Sequence, residues 1–279
     1  MDLIDGLGTL EQAVVVILFF SGATILGLYL VRRLLPAHIL SEDHEVAGYT
    51  FGVVGAFYGV VLAFVIVAAW QRFERADDKA QAEALALSNL YSLSKGFPQP
   101  MRANLGQATG DYARQVVNHE WDEMATLEFE HTLDGEGQLW QVLLSYNPQN
   151  NLETDVLAKC LDEMDALSDA RQLRYVYYKE DLPSVVWLVI YAGCVITIAF
   201  SYFCGSRRFW PQAIMSATFA LLIGLTIMAI AELANPYQGA VTVTNAPFKF
   251  VLKIIEDDAA RLPSAANAPA ASAATLGRQ

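Results

Sequence analysis

Four stretches of the chain, residues 13–31, 46–70, 182–206 and 209–231, contain no Asp, Glu, Lys or Arg. A helix rises about 1.5 Å per residue, so roughly 20 apolar residues cross a hydrocarbon layer about 30 Å thick. Each stretch meets or nearly meets that length, and buried helices of soluble proteins seldom do so four times. The pattern predicts an all-α membrane protein with four transmembrane helices in two hairpins and a helical soluble segment between spans 2 and 3. The first stretch reads as a retained anchor rather than a secretory signal. Residues 1–12 hold Asp2, Asp5 and Glu11 and no basic residue, while Arg32 and Arg33 follow the apolar run.

Between the hairpins the apolar positions change period. Ala84, Leu87, Leu90, Tyr91 and Ser94, and then Val156, Leu157, Leu161, Met164 and Leu167, recur at helical spacing, with no alternating strand pattern. No Gly or Pro interrupts residues 60–95, so the second span is expected to continue into water until Gly96, Phe97, Pro98 and Pro100 stop it. Residues 153–181 read as a matching helix that meets Pro183 where the third span begins. Shorter helices are expected over residues 101–120 and 137–144, with turns at Asp134-Gly135 and at residues 147–151. These signals divide the chain into a first hairpin (1–70), a soluble helical segment (71–181), a second hairpin (182–233), a post-membrane segment (234–262) and a disordered tail (263–279). The tail is Ala-, Ser- and Pro-rich with almost no large apolar side chain, too little to offset its ordering entropy. Within the post-membrane segment, residues 235–239 break the helix and residues 247–255 form an amphipathic stretch.

Composition sharpens this picture in two places. The hydrophobic fraction of 54% lies above the soluble norm of roughly 45–50%. The net charge of −12 comes mostly from residues 71–181, which hold 20 acidic against 10 basic residues. Such a segment repels phosphate backbones, so nucleic acid is excluded as a partner, whereas cations gather near it. Cys160, Cys194 and Cys204 are too scattered for a disulfide framework. His119-Glu120-Trp121-Asp122-Glu123 lacks the second histidine of a metalloprotease helix, and no hydrolase elbow, phosphate loop or dinucleotide fingerprint occurs. No catalytic residue, metal site or cofactor is expected. Glu83, Tyr112 and Trp121 read as surface or core residues of soluble helices.

The second span carries the strongest functional pattern. Gly52, Gly55, Gly59 and Ala63 follow at three- and four-residue steps and so share one face, where Gly55 and Gly59 form a small-xxx-small pair. Two readings stay open. The face packs against other helices, or, with Phe51, Tyr58, Val60 and Phe64 beside it, it surrounds a pore in an oligomer; a pore of apolar and small residues gates by dewetting and needs no charge. In the fourth span Thr226 and Glu232 are candidates for an ion or polar site, since ionisable groups at membrane depth are functional candidates by default.

These residues resemble the bacterial bestrophin-like membrane protein family. The resemblance rests on residues 46–55, with Tyr58, Leu62-Ala63-Phe64, Trp70, Glu83-Ala84, Leu90-Tyr91 and Glu120-Trp121, and on Asn235-Pro236-Tyr237-Gln238-Gly239 followed by Pro247-Phe248. It covers residues 30–253. Where the family has an Asp-x-Pro-Phe-x-Gly-like turn this chain has Asn-Pro-Tyr, and it has no acidic cluster matching a bestrophin calcium clasp. The resemblance implies four spans and a homo-oligomer, a pentamer by analogy, that passes inorganic ions through a narrow apolar neck in the bacterial inner membrane. A membrane-anchored sensor or scaffold and a stator-like proton-driven unit are the alternatives, the last requiring an inward acidic or hydroxyl pair such as Thr226 with Glu232. Orientation signals conflict. Arg pairs in both short loops favour short loops in the cytoplasm and the middle segment outside, whereas basic residues flanking spans 2 and 3, and the bestrophin resemblance, favour the reverse; following the Arg pairs, the middle segment and both termini are expected outside.

Overall fold

A computed structural model describes residues 9–34, 44–126, 134–203 and 208–266. The described residues are mostly helical, with no strand among them. Four helices are long and apolar enough to cross a membrane. The chain divides into two compact units, one formed by residues up to Asp77 with Val176–Val243, the other by Asp78–Tyr175 with the residues from Thr244 onward. The divisions after Asp77 and after Tyr175 fall inside α-helices, and the one after Val243 falls in the segment between the last two helices.

The membrane unit contains α1 (Thr9–Leu34), the first part of α2 (His44–Ser94), α7 (Ser184–Phe203) and α8 (Phe209–Ala234). Helix α2 runs unbroken for 51 residues. No Gly or Pro interrupts it beyond Gly59, and it ends immediately before the Gly96 to Pro100 stop signal, as the sequence predicts. Tyr58, Leu62 and Ala69 of α2 pack with Ile190 and Cys194 of α7 and Ile223, Ile227 and Ile230 of α8. Gly193 makes the closest part of this packing, since a methyl group there would collide with the Tyr58 ring. The Tyr58 hydroxyl donates to the Ile190 carbonyl at 2.7 Å.

The second unit contains the rest of α2, then α3 (Met101–Gln115), a π-helical turn (Val116–Glu120), α4 (Trp121–Thr126), α5 (Asp134–Leu144), α6 (Asn151–Lys179) up to Tyr175, and α9 (Ala246–Ala266). Its core gathers Leu87, Leu90, Leu105, Leu139, Met164 and Phe248. Helix α6 starts on a reciprocal cap. Asn150 Oδ1 accepts from the Glu153 N–H at 2.9 Å while Glu153 Oε1 accepts from Asn150 Nδ2 at 2.8 Å, satisfying donors that a helix start leaves open. Asp134-Gly135, expected as a turn, instead opens α5. Helix α9 extends through Pro263 to Ala266, four residues into the expected tail; the rest of that tail, like Cys204, lies outside the described residues.

Candidate functional site

At about 100° per residue, Tyr58, Leu62 and Ala69 mark the side of α2 turned to its own bundle. The opposite side carries Tyr49, Val53, Val60, Val67 and, at its edge, Phe64. Val60 is 54% and Phe64 73% exposed. Beside this bulky stripe runs a small one formed by Gly52, Ala56, Gly59 and Ala63, all exposed. A methyl group on Gly52 or Gly59 would meet nothing within 4 Å. The face is therefore uncharged, half bulky and half flat.

The sequence-predicted residues separate on this frame. Gly55 stands one turn before Gly59 but nearer the bundle, facing α8, where a methyl group would touch the Phe219 ring at 3.7 Å. Phe51 joins it there, edge-on to Phe219 with ring centroids 5.1 Å apart. Tyr58 is 5% exposed and belongs to helix packing. Gly52, Gly59, Val60, Ala63 and Phe64 remain on the open face.

Thr226 and Glu232 do not form a site together. Six residues apart, they leave α8 in different directions. The Thr226 hydroxyl donates to the Leu222 carbonyl of its own helix at 2.8 Å. The Glu232 carboxylate accepts from the Ala240 and Val241 N–H groups at 2.8 and 3.2 Å, folding the chain back after α8. Gly239 makes that return at φ +89°, a conformation side chains disfavour. Arg72 fixes the same corner by donating to the carbonyls of Ala234 (3.2 Å) and Tyr177 (3.0 Å), and Tyr237 is buried with its hydroxyl on the Ala76 carbonyl. Arg72 thus places positive charge at the end of α8, where unsatisfied carbonyls favour it.

The second unit holds a cluster that the sequence reading discounted. Arg174 donates Nε and Nη2 to Glu83 at 2.6 and 3.0 Å, and Nη2 also to Glu120 at 2.8 Å. Arg171 donates Nη2 to the other Glu120 oxygen at 2.8 Å and Nη1 to the Tyr112 hydroxyl at 2.9 Å, and that hydroxyl donates to Glu83 at 2.7 Å. All five side chains are at most 2% exposed. Trp121 lies 5.5 Å from the Arg174 guanidinium. Burial pushes the Tyr112 hydroxyl well above its ordinary range, with Glu83 adding to the effect. Burial also raises the Glu120 carboxyl, but Arg174 and Arg171 outweigh it and leave the group below its usual value. Both Arg side chains stay charged, so the cluster is a closed set of ion pairs that locks α2, α3, the π turn and α6. Glu83, Tyr112 and Trp121, read separately as surface or core, meet here.

The Bestrophin-like domain model matches residues 18–248. The chain belongs to the Bestrophin-like family. A single-substitution variant of a bacterial bestrophin homolog from Klebsiella pneumoniae is similar in fold, with a TM-score of 0.65 at 14% identity over 86% of this chain and 99% of that one. A second structure of the homolog gives 0.60 at 13% identity over 89% and 98%. At these identities the likeness establishes the fold. No curated protein matches the chain. Within this family fold, the open face of α2 is the candidate functional surface and the ion-pair cluster supports the unit beside it in sequence.

Proposed function

We propose that this Bestrophin-like protein is a homo-oligomeric ion channel of the bacterial inner membrane, a pentamer by family analogy, and not an enzyme. The carrying observation is the α2 face that lies opposite its own bundle and holds no charge from Ala47 to Trp70. In a ring of subunits one outward helix face of each subunit turns to the axis, and the uncharged face of α2 is assigned that place. The bulky stripe with Val53, Val60 and Phe64 then forms an apolar neck, and the stripe with Gly52, Gly59 and Ala63 lets the neighbouring α2 approach closely, as small residues do in lipid. A constriction of this kind conducts when wetted and closes when dry. The stator-like alternative needs Thr226 and Glu232 in one place, and their separate hydrogen bonds count against it.

The orientation follows the count of basic residues near the spans. Arg72, Arg75, Lys79, Arg171, Arg174 and Lys179 outnumber the four arginines of the short loops, so the middle segment is placed in the cytoplasm, reversing the preference drawn from the Arg pairs alone. Light scattering of the purified protein in mild detergent tests assembly. A ring of several subunits is expected, and a monomer would remove the basis for an axial neck.

A further inference from the structure

Where α1 ends and α8 begins, the membrane unit carries polar groups that spans seldom hold. Gln212, 4% exposed, donates Nε2 to the Tyr202 carbonyl at 2.8 Å, and its Oε1 accepts from Arg32 Nε at 3.1 Å and from Arg32 Nη2. Arg32 Nη2 also reaches the Arg208 carbonyl at 3.4 Å, and its guanidinium lies 5.7 Å from the Phe209 ring. The Arg32 guanidinium is thereby held at one corner of the unit, where the exposed residue Arg208 also stands at the start of α8. Gln212 also lines a cavity of about 610 Å³ that opens between α2 and α8. Phe51, Met215, Phe219 and Leu222 form its walls, and Ser201 and Ser216, whose hydroxyl oxygens are 3.2 Å apart, lie at its inner side.

The cavity falls within the range of about 300–1,000 Å³ typical of small-ligand sites and is mostly apolar with a few polar groups. Its exposed rim residues Ile214, Met215 and Leu222 belong to a span, so the surrounding medium is lipid. We propose that the cavity and the two arginines form a binding site for one anionic phospholipid, with an acyl chain lying along the paired rings of Phe51 and Phe219 and beside Met215, and the phosphate beside Arg32 and Arg208. Charge complementarity selects this occupant. A zwitterionic lipid fills the apolar part equally well, whereas a net negative headgroup also gains coulombic attraction from the arginines. The site is separate from the proposed pore face, and its test does not depend on conduction.

Native mass spectrometry of the full-length protein, incubated in nonionic detergent with equal amounts of phosphatidylglycerol and phosphatidylcholine, reads the preference directly. The wild type is expected to retain phosphatidylglycerol preferentially. Arg208→Gln should lower that retention about fivefold and leave phosphatidylcholine retention unchanged, the effect of one basic residue at a lipid headgroup. Thr218→Trp fills the cavity from an exposed rim position and should reduce retention of both lipids. Phosphatidylglycerol should also raise the unfolding temperature of the wild type more than that of Arg208→Gln. Equal retention of the two lipids by the wild type, an undiminished preference in Arg208→Gln, or unchanged retention in Thr218→Trp overturns the proposal.

Discussion

Replacing Glu120 with Gln removes one charge from the buried cluster and keeps the side chain's size. Glu120 is 1% exposed and bridges Arg171 at 2.8 and 3.2 Å and Arg174 at 2.8 Å. Arg174 retains Glu83 after the change, whereas Arg171 retains the Tyr112 hydroxyl and Glu136, whose oxygen is 3.6 Å from Nε. Leaving a buried charge undercompensated costs about 3–5 kcal/mol. Because Gln still offers a carbonyl oxygen and Glu83 holds one arginine, the lower end, about 3 kcal/mol, is expected. At about 4 °C per kcal/mol, where the ranges for smaller and larger domains meet, the unfolding temperature should fall by about 12 °C. Differential scanning fluorimetry of purified Glu120→Gln, beside Asp122→Asn on the exposed side of the same turn, provides the measurement. If the two variants melt within about 2 °C of each other, the cluster does not hold the unit together.

The same carboxyl predicts a pH dependence. Its folded value lies below the ordinary one, so its stabilisation is complete above the unfolded Glu value of about 4.3 and is lost as pH falls through the folded value. The difference in unfolding temperature between wild type and Glu120→Gln should therefore shrink in acid below about pH 4, and a constant difference would contradict the assignment. At the return after α8, Gly239→Ala should destabilise by about 1–3 kcal/mol, because the backbone is left-handed there and the new methyl group would come within 2.7 Å of Glu232 Oε2; unchanged melting would count against this turn. Topology is read by introducing cysteine at exposed Gln138 in a background without the native thiols. Protection from an impermeant maleimide in intact cells, with labelling after lysis, is expected, and labelling of intact cells would restore the outside placement.

The spans were legible because lipid demands long uncharged helices, and the α2 stop was legible because Gly96, Pro98 and Pro100 cannot continue a helix. The glycine face was legible only in part. Periodicity put Gly52, Gly55 and Gly59 together, but the helix buries the side of Tyr58 and Leu62, which turns Gly55 toward Phe219 and leaves Gly52 and Gly59 open. The ion-pair cluster was missed because its members are up to 91 residues apart in sequence. A local signal was nevertheless present. Arg171 and Arg174 continue the buried three- and four-residue steps of Met164 and Leu167, and Glu83 interrupts the buried series Ala76, Ala80, Leu87 and Leu90. A charge on a core stripe calls for an opposite charge on another. Glu232, expected as a membrane-depth ionisable group, is instead satisfied by backbone N–H groups eight and nine residues ahead, which no helical period could indicate.

The central claim is that the open face of α2 lines an apolar, ion-conducting neck, and ion flux into liposomes carrying the purified protein tests it most directly. Wild type should pass ions above the background of empty liposomes. Val60→Ser or Phe64→Ser should raise that flux at unchanged oligomer size, because a hydroxyl in a narrow apolar neck eases its wetting. In a packed interface the same hydroxyl would need a partner and lower stability by about 1–3 kcal/mol. Flux that neither substitution alters, or a wild type that passes no ions at any applied voltage or calcium concentration, would contradict the channel assignment and favour the scaffold or sensor.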